Sequence, residues 1–153
     1  MKKKVDEMVQ YSGIADIEDY PCKPITYKQN SIIKKQCVPS KKPSIENVLK
    51  VISLLKIYDI KPVHNPYDIK FVVTGIIKQR VLYTALLEEQ SVHSFHIEIP
   101  FCELIIVHEC DWDYDLNKVR IKGYIEDVHL FNIGERELEE CIIVCFTVEE
   151  DSC

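Results

Sequence analysis

The chain has 153 residues, 46% of them hydrophobic and 29% charged, with a formal net charge of −6. That length suffices for one domain with a substantial core, and the acidic balance argues against a protein that neutralises nucleic-acid phosphates over a basic face. No apolar run approaches the ~20 residues needed to span a bilayer as a helix, so neither nucleic acid nor membrane is an expected partner.

Residues 1–30 read as an arm: polar, with two prolines flanking Cys22 and no sustained period. The start, MKKKVDEMVQ, is basic but lacks the apolar stretch of a secretory signal, which predicts synthesis and initial retention in a cytoplasm. Val5, Met8, Val9 and Tyr11 fit one short amphipathic turn that Gly13 stops. Lysines cluster at Lys2–Lys4, Lys34–Lys35 and Lys41–Lys42; they are read as a solvated arm and loop rather than one binding face.

A first strand is predicted over 31–38, and Pro39 and Pro43 bracket a loop. Residues 44–60 fit two templates. Ile45, Val48, Leu49, Ile52 and Leu55 suit a helix that Ser44 could cap, whereas Leu49, Val51, Ser53, Leu55 and Ile57 suit a strand. Periodicity alone leans to the helix. Pro62 and Pro66 close the segment. Residues 69–77 form the next strand, with Gly75 as a bulge or bend.

The clearest pattern follows. Val81, Tyr83, Ala85 and Leu87 alternate with polar neighbours, and after the break at 88–91 so do Phe95, Ile97 and Ile99. This predicts a hairpin with one buried face, although its loop lacks the usual glycine. Pro100 should end the second strand or place it at a sheet edge. Residues 102–108 predict a short strand and 111–117 an acidic loop. Val119, Ile121, Gly123 and Ile125 alternate until the phase slips near Asp127, the mark of a bulge. Residues 132–134 turn, and 141–148 make the last strand. Several strands joined by short polar loops predict a sandwich or barrel.

The run TGIIKQRVLYTALLEEQSVHSFHIEIPFCELI resembles the SPOCS domain, a small module of spore-coat and sporulation proteins in clostridia and their relatives. The motif positions are Gly75, Val81-Leu82-Tyr83, Val92-His93 and Glu98-Ile99-Pro100-Phe101. A second match, CVPSKKPSIENVLKVISLLKI, lies upstream at Pro39, Lys42, Pro43, Ile45, Val48 and Leu49. Together the resemblance spans 31–148. It implies a helical turn at 44–47 followed by a long strand. It also implies an all-β, single-domain sandwich of seven or eight mostly antiparallel strands, with an extended N-terminal arm, and a spore-associated structural role.

Candidate chemical sites are weak. Asp111, Asp113 and Asp115 space like the start of a calcium loop, but Leu116 stands where that loop needs glycine and Lys122 where it needs glutamate. Cys102, His108 and Cys110 are zinc-ligand types without a Cys-x-x-Cys spacing or a fourth ligand. His64, His93, His96, His108 and His129 could activate a nucleophile, but no nucleophile elbow or phosphate loop is present, and the chain holds only four glycines. His96 falls out of phase with the core and is expected to be exposed. No catalytic residue, metal or cofactor is expected.

The seven cysteines, Cys22, Cys37, Cys102, Cys110, Cys141, Cys145 and Cys153, are more informative. If Ile142, Val144, Phe146 and Val148 face the core, Cys141 and Cys145 face away, on a surface expected to become covered. Four residues apart on one strand they stand ~13 Å from each other, too far to bond. Cys22 and Cys153, on the arm and at the last position, are the mobile candidates to reach them; the alternative is that all seven stay reduced.

The reading is an arm over 1–30, a domain over 31–150 and a tail over 151–153. It predicts a non-enzymatic structural protein, made in the mother-cell cytoplasm and ending in the spore coat or at the spore surface. It would assemble with itself into a coat layer or filamentous appendage through arm and tail exchange. Intersubunit disulfides would use Cys22, Cys141, Cys145 and Cys153, and removal of residues 1–30 should leave a folded monomer. The alternative is a small non-enzymatic adaptor that binds a spore-coat morphogenetic protein.

Overall fold

The computed structural model describes residues 9–107 and 116–150. They form seven strands: β1 (Gln10–Ser12), β2 (Thr26–Cys37), β3 (Ile45–His64), β4 (Ile69–Ala85), β5 (Val92–Val107), β6 (Val119–Ile133) and β7 (Glu137–Glu150). Short 3-10 turns lie at Ile17–Asp19 and Leu116–Lys118. One sheet runs β1-β3-β4-β5 and the other β2-β7-β6, a sandwich in which every pairing is antiparallel except β1 with β3. The expected all-β architecture is the observed one.

The two inner faces make the core. From β4 come Phe71, Val73, Ile77, Val81, Tyr83 and Ala85, and from β7 come Leu138, Ile142, Val144, Phe146 and Val148, all buried. Phe101 of β5 reaches across to Phe146, with ring centroids 5.4 Å apart. The β4–β5 hairpin closes where the Ala85 amide donates to the Ser91 carbonyl at 2.9 Å. Gln90 takes the left-handed conformation, φ 47°, that a glycine would normally supply.

Pro100 does not end its strand: β5 continues to Val107 as the edge of its sheet. Lys28 Nζ donates to the Leu104 carbonyl at 2.8 Å, so that carbonyl points away from β4. The β4–β5 register is unbroken, so Pro100, four residues earlier, presents its missing donor to the same open side. No ladder bond is lost, and the segment at 102–107 is part of β5 rather than a separate strand.

Other expectations are corrected by the register. The first long strand begins at Thr26, five residues before the predicted start, and pairs with β7 as far as Val148. No helical turn forms at 44–47. β3 is strand from Ile45 to His64, with register shifts between Ile45 and Asn47 and between Val48 and Lys50. Each bulge flips the side-chain parity, so Ile45, Val48 and Val51 all face the core at three-residue spacing. This is the physical source of the helix-like period. Near Gly75 the irregularity lies on the opposite strand, between Ile57 and Asp59. The slip expected near Asp127 is present, as a register shift between Ile125 and Asp127.

Candidate functional site

The described part of the arm, from Val9 on, is laid across the sandwich. Val9 is buried, and β1 pairs with Lys50–Ile52. The Leu130 amide donates to Tyr11 Oη at 3.0 Å. Gly13, at φ +94°, then turns the chain away from β3; a Cβ there would stand 1.9 Å from the Ser53 carbonyl oxygen. The Ala15 amide donates to Ile125 of the other sheet at 2.9 Å. Tyr20 packs on Tyr124, with centroids 4.6 Å apart, and the Ile25 amide donates to Val148 at 2.7 Å before β2 begins. Residues 9–25 therefore join both sheets and cross the outer face of the second.

This path decides the fate of the cysteines. As the alternation predicts, Cys145 and Thr147 point away from the core, yet both are buried. Tyr20, Pro21 and Pro24 of the arm line a groove with them. Burial, reinforced by the Glu126 carboxylate, pushes the Cys145 thiol up to about 11. Cys141 lies beyond the arm's cover, half-buried, in a cross-strand row with Ile33 and His129. Cys22, Cys37 and Cys102 are exposed, and none of these five described cysteines is in a disulfide. Cys110 and Cys153 lie outside the described residues, as do His108, Asp111, Asp113 and Asp115. Among the described residues no three metal-ligating side chains converge. His96 is exposed, and His93 shares a 2.9 Å hydrogen bond with Ser91 Oγ.

Two polar sites inside the sandwich escaped the reading of the sequence. Gln79 of β4 is buried, its Nε2 donating to Glu140 Oε1 at 2.7 Å and to Ser53 Oγ at 3.1 Å. Burial pushes the Glu140 carboxyl up to about 7 against the weaker downward pull of the Gln79 hydrogen bond. At the β2–β5 seam, Glu103 is buried, accepts a hydrogen bond from Asn30 Nδ2 and pairs with Lys28 Nζ at 3.5 Å. The available signal was parity: Gln79, Glu103 and Glu140 each occupy a core-phase position in an otherwise apolar alternation.

The ends of the sandwich differ. Near the start of β2, the arm and the second sheet enclose an open groove of about 450 Å³. At the other end, residues 38–44 form a tight turn carrying Lys41 and Lys42.

The sequence profile of the SipL, SPOCS domain family matches residues 44–132. The match runs from the start of β3 nearly to the end of β6, more than half of the chain. No curated protein and no solved structure matches.

Proposed function

Since the chain belongs to the SipL, SPOCS domain family, whose members are associated with sporulation, we propose that it is a non-enzymatic structural subunit that assembles with copies of itself. The product is a coat layer or a filamentous appendage of the spore. The protein is made in the mother-cell cytoplasm and ends in the coat or at the spore surface.

The observation that carries this reading is the docking of the arm. It is held through a three-residue strand and a few backbone hydrogen bonds, yet it touches both sheets. A segment anchored so lightly makes the same contacts on a neighbouring copy at little cost, which is the physical basis of strand exchange. Exchange would uncover Cys145 while the arm is lifted, before a neighbour's arm takes its place, and would carry Cys22 onto another copy. Disulfides through Cys22, Cys141, Cys145 and Cys153 then fix the assembly, each typically adding ~2–4 kcal/mol.

Electron microscopy of the purified chain, beside matched reducing and non-reducing gels, tests this. Regular fibres or sheets, with covalent ladders that collapse in reductant, are the expected result. Uniform single particles without a ladder would replace it with the adaptor reading.

A further inference from the structure

The groove under the arm and the turn at the far end of β2 carry opposite charges. Tyr20, Pro21, Pro24 and Tyr27 line the groove, and Ile17 stands at its rim, 90% exposed. The Glu126 carboxylate lies in its floor and accepts from Gln29 Nε2 at 2.7 Å. Asp16, Glu18 and Asp19 are exposed on the adjoining 3-10 turn, while Lys23 is the sole cation among residues 9–25. The groove is thus acidic, aromatic and rich in proline.

The turn, Val38-Pro39-Ser40-Lys41-Lys42-Pro43-Ser44, has the opposite charge and a rigid backbone. The Lys42 amide donates to the Pro39 carbonyl at 2.9 Å. Arg136 donates to the carbonyls of Lys42 at 2.7 Å and Pro39 at 3.0 Å, and the Tyr83 hydroxyl donates to that of Pro43 at 2.7 Å. Neither Lys41 nor Lys42 is ion-paired among the described residues. Acids at the same end of the fold are Glu135, beside Arg136, Glu137, opposite Cys37, and Glu46, Glu88 and Glu89 of the first sheet. β2 carries Tyr27 and Gln29 at the groove and leads into the turn after Cys37, so the two surfaces stand roughly 30 Å apart along the strand axis.

We propose that the turn of one copy seats in the groove of the next, so that the chain assembles head to tail. This rests on the self-assembly reading and adds a second contact to arm exchange. The ammonium groups of Lys41 and Lys42 meet the carboxylates of Glu126 and Glu18. The rings of Pro39 and Pro43 pack on Tyr20 and Tyr27, as proline segments pack in aromatic grooves, with the lysines adding attraction to the ring faces. The turn is already held in one conformation, so little ordering cost opposes the contact. Groove and turn are different patches at opposite ends, so the interface is heterologous; it does not close on a two-fold axis, and unless the rotation per copy closes a ring it repeats into an open fibre.

Charge reversal on the full chain tests the contact. One variant carries Lys41→Glu and Lys42→Glu; a second carries Glu18→Lys and Glu126→Lys. Circular dichroism confirms the fold, and light scattering with electron microscopy reads assembly. Each variant alone should need at least about tenfold more protein than the wild type to form fibres, because like charges now meet. Mixed in equal amounts they should co-assemble near the wild-type concentration, since each acidic turn then finds a basic groove and each basic turn an acidic one. If the lysine-reversed variant assembles as the wild type does, the turn–groove contact is wrong while self-assembly stands. If the wild type forms sheets without fibres, the turn–groove contact is wrong while self-assembly stands; if it forms neither, both fall together.

Discussion

Glu140 lies 1% exposed between the two sheets, with Gln79 as its polar neighbour. Its carboxyl, near 4.5 in an unfolded chain, is held at about 7 in the fold, mainly by burial. The folded protein therefore binds more protons than the unfolded one between pH about 4.5 and 7. The associated stability is fully present below that window and lost as pH rises through about 7. Denaturant unfolding from pH 4.5 to 8 should show this decline, worth about 3 kcal/mol at most; the Glu140→Gln variant should lack it and be the more stable protein at pH 8. Equal pH slopes would remove Glu140 as the cause. Cys145 makes a second residue-level prediction. Its raised thiol and buried position should slow native alkylation about a hundredfold or more relative to Cys22, Cys37 and Cys102. Mass spectrometry after timed labelling checks this, and comparable rates would mean that the arm does not cover it.

The arm depends on one backbone conformation. At Gly13 any side chain meets both an unfavourable positive φ and the Ser53 carbonyl. Gly13→Ala should weaken arm docking by about 1–3 kcal/mol while the β4–β5 and β6–β7 ladders keep their bonds. Hydrogen exchange should show faster exchange at the Ala15 and Leu130 amides, which donate to Ile125 and Tyr11, and unchanged protection in β4; undiminished protection at both would contradict the strain argument. The long strands explain their own sequence ambiguity. Two bulges in β3 convert a two-residue alternation into buried positions three residues apart, and propensity cannot distinguish that from a helix. The edges are also blunted at this scale. β5 carries Pro100 with its missing donor outward, and the edge portion of β3 carries Lys56, Lys61 and Pro62. Such features disfavour indiscriminate strand pairing.

At the scale of the molecule, β2 closes the seam opposite the arm. A chain cut at residue 30 would lose Thr26–Asn30, the partners of Val144–Val148, and with them Lys28 and Asn30. Glu103 would lose both partners, and the outer half of β7 would lose its ladder bonds to β2. The truncation expected from sequence to give a folded monomer should instead lose cooperative thermal unfolding. A chain beginning at Val9 keeps every described contact and should retain it. A cooperative transition in the shorter chain would show that the β2 seam is dispensable.

The alternation in β4, β5 and β7 was legible because one face of each strand meets an apolar layer and the other does not. Inward positions such as Val81, Tyr83, Ile97, Ile142 and Phe146 could be named from residue order alone, and with them the all-β class and the slip near Asp127. Local order could not reveal what depends on distant segments meeting. Val9–Ile25 lies on two sheets because Gly13 turns beneath Ser53 and Ala15 finds Ile125. Cys145 is buried because that same arm passes over an outward position, not because its strand phase requires it. Groove and turn occupy opposite ends because β2 spans the sandwich between them, a distance that only the folded chain establishes.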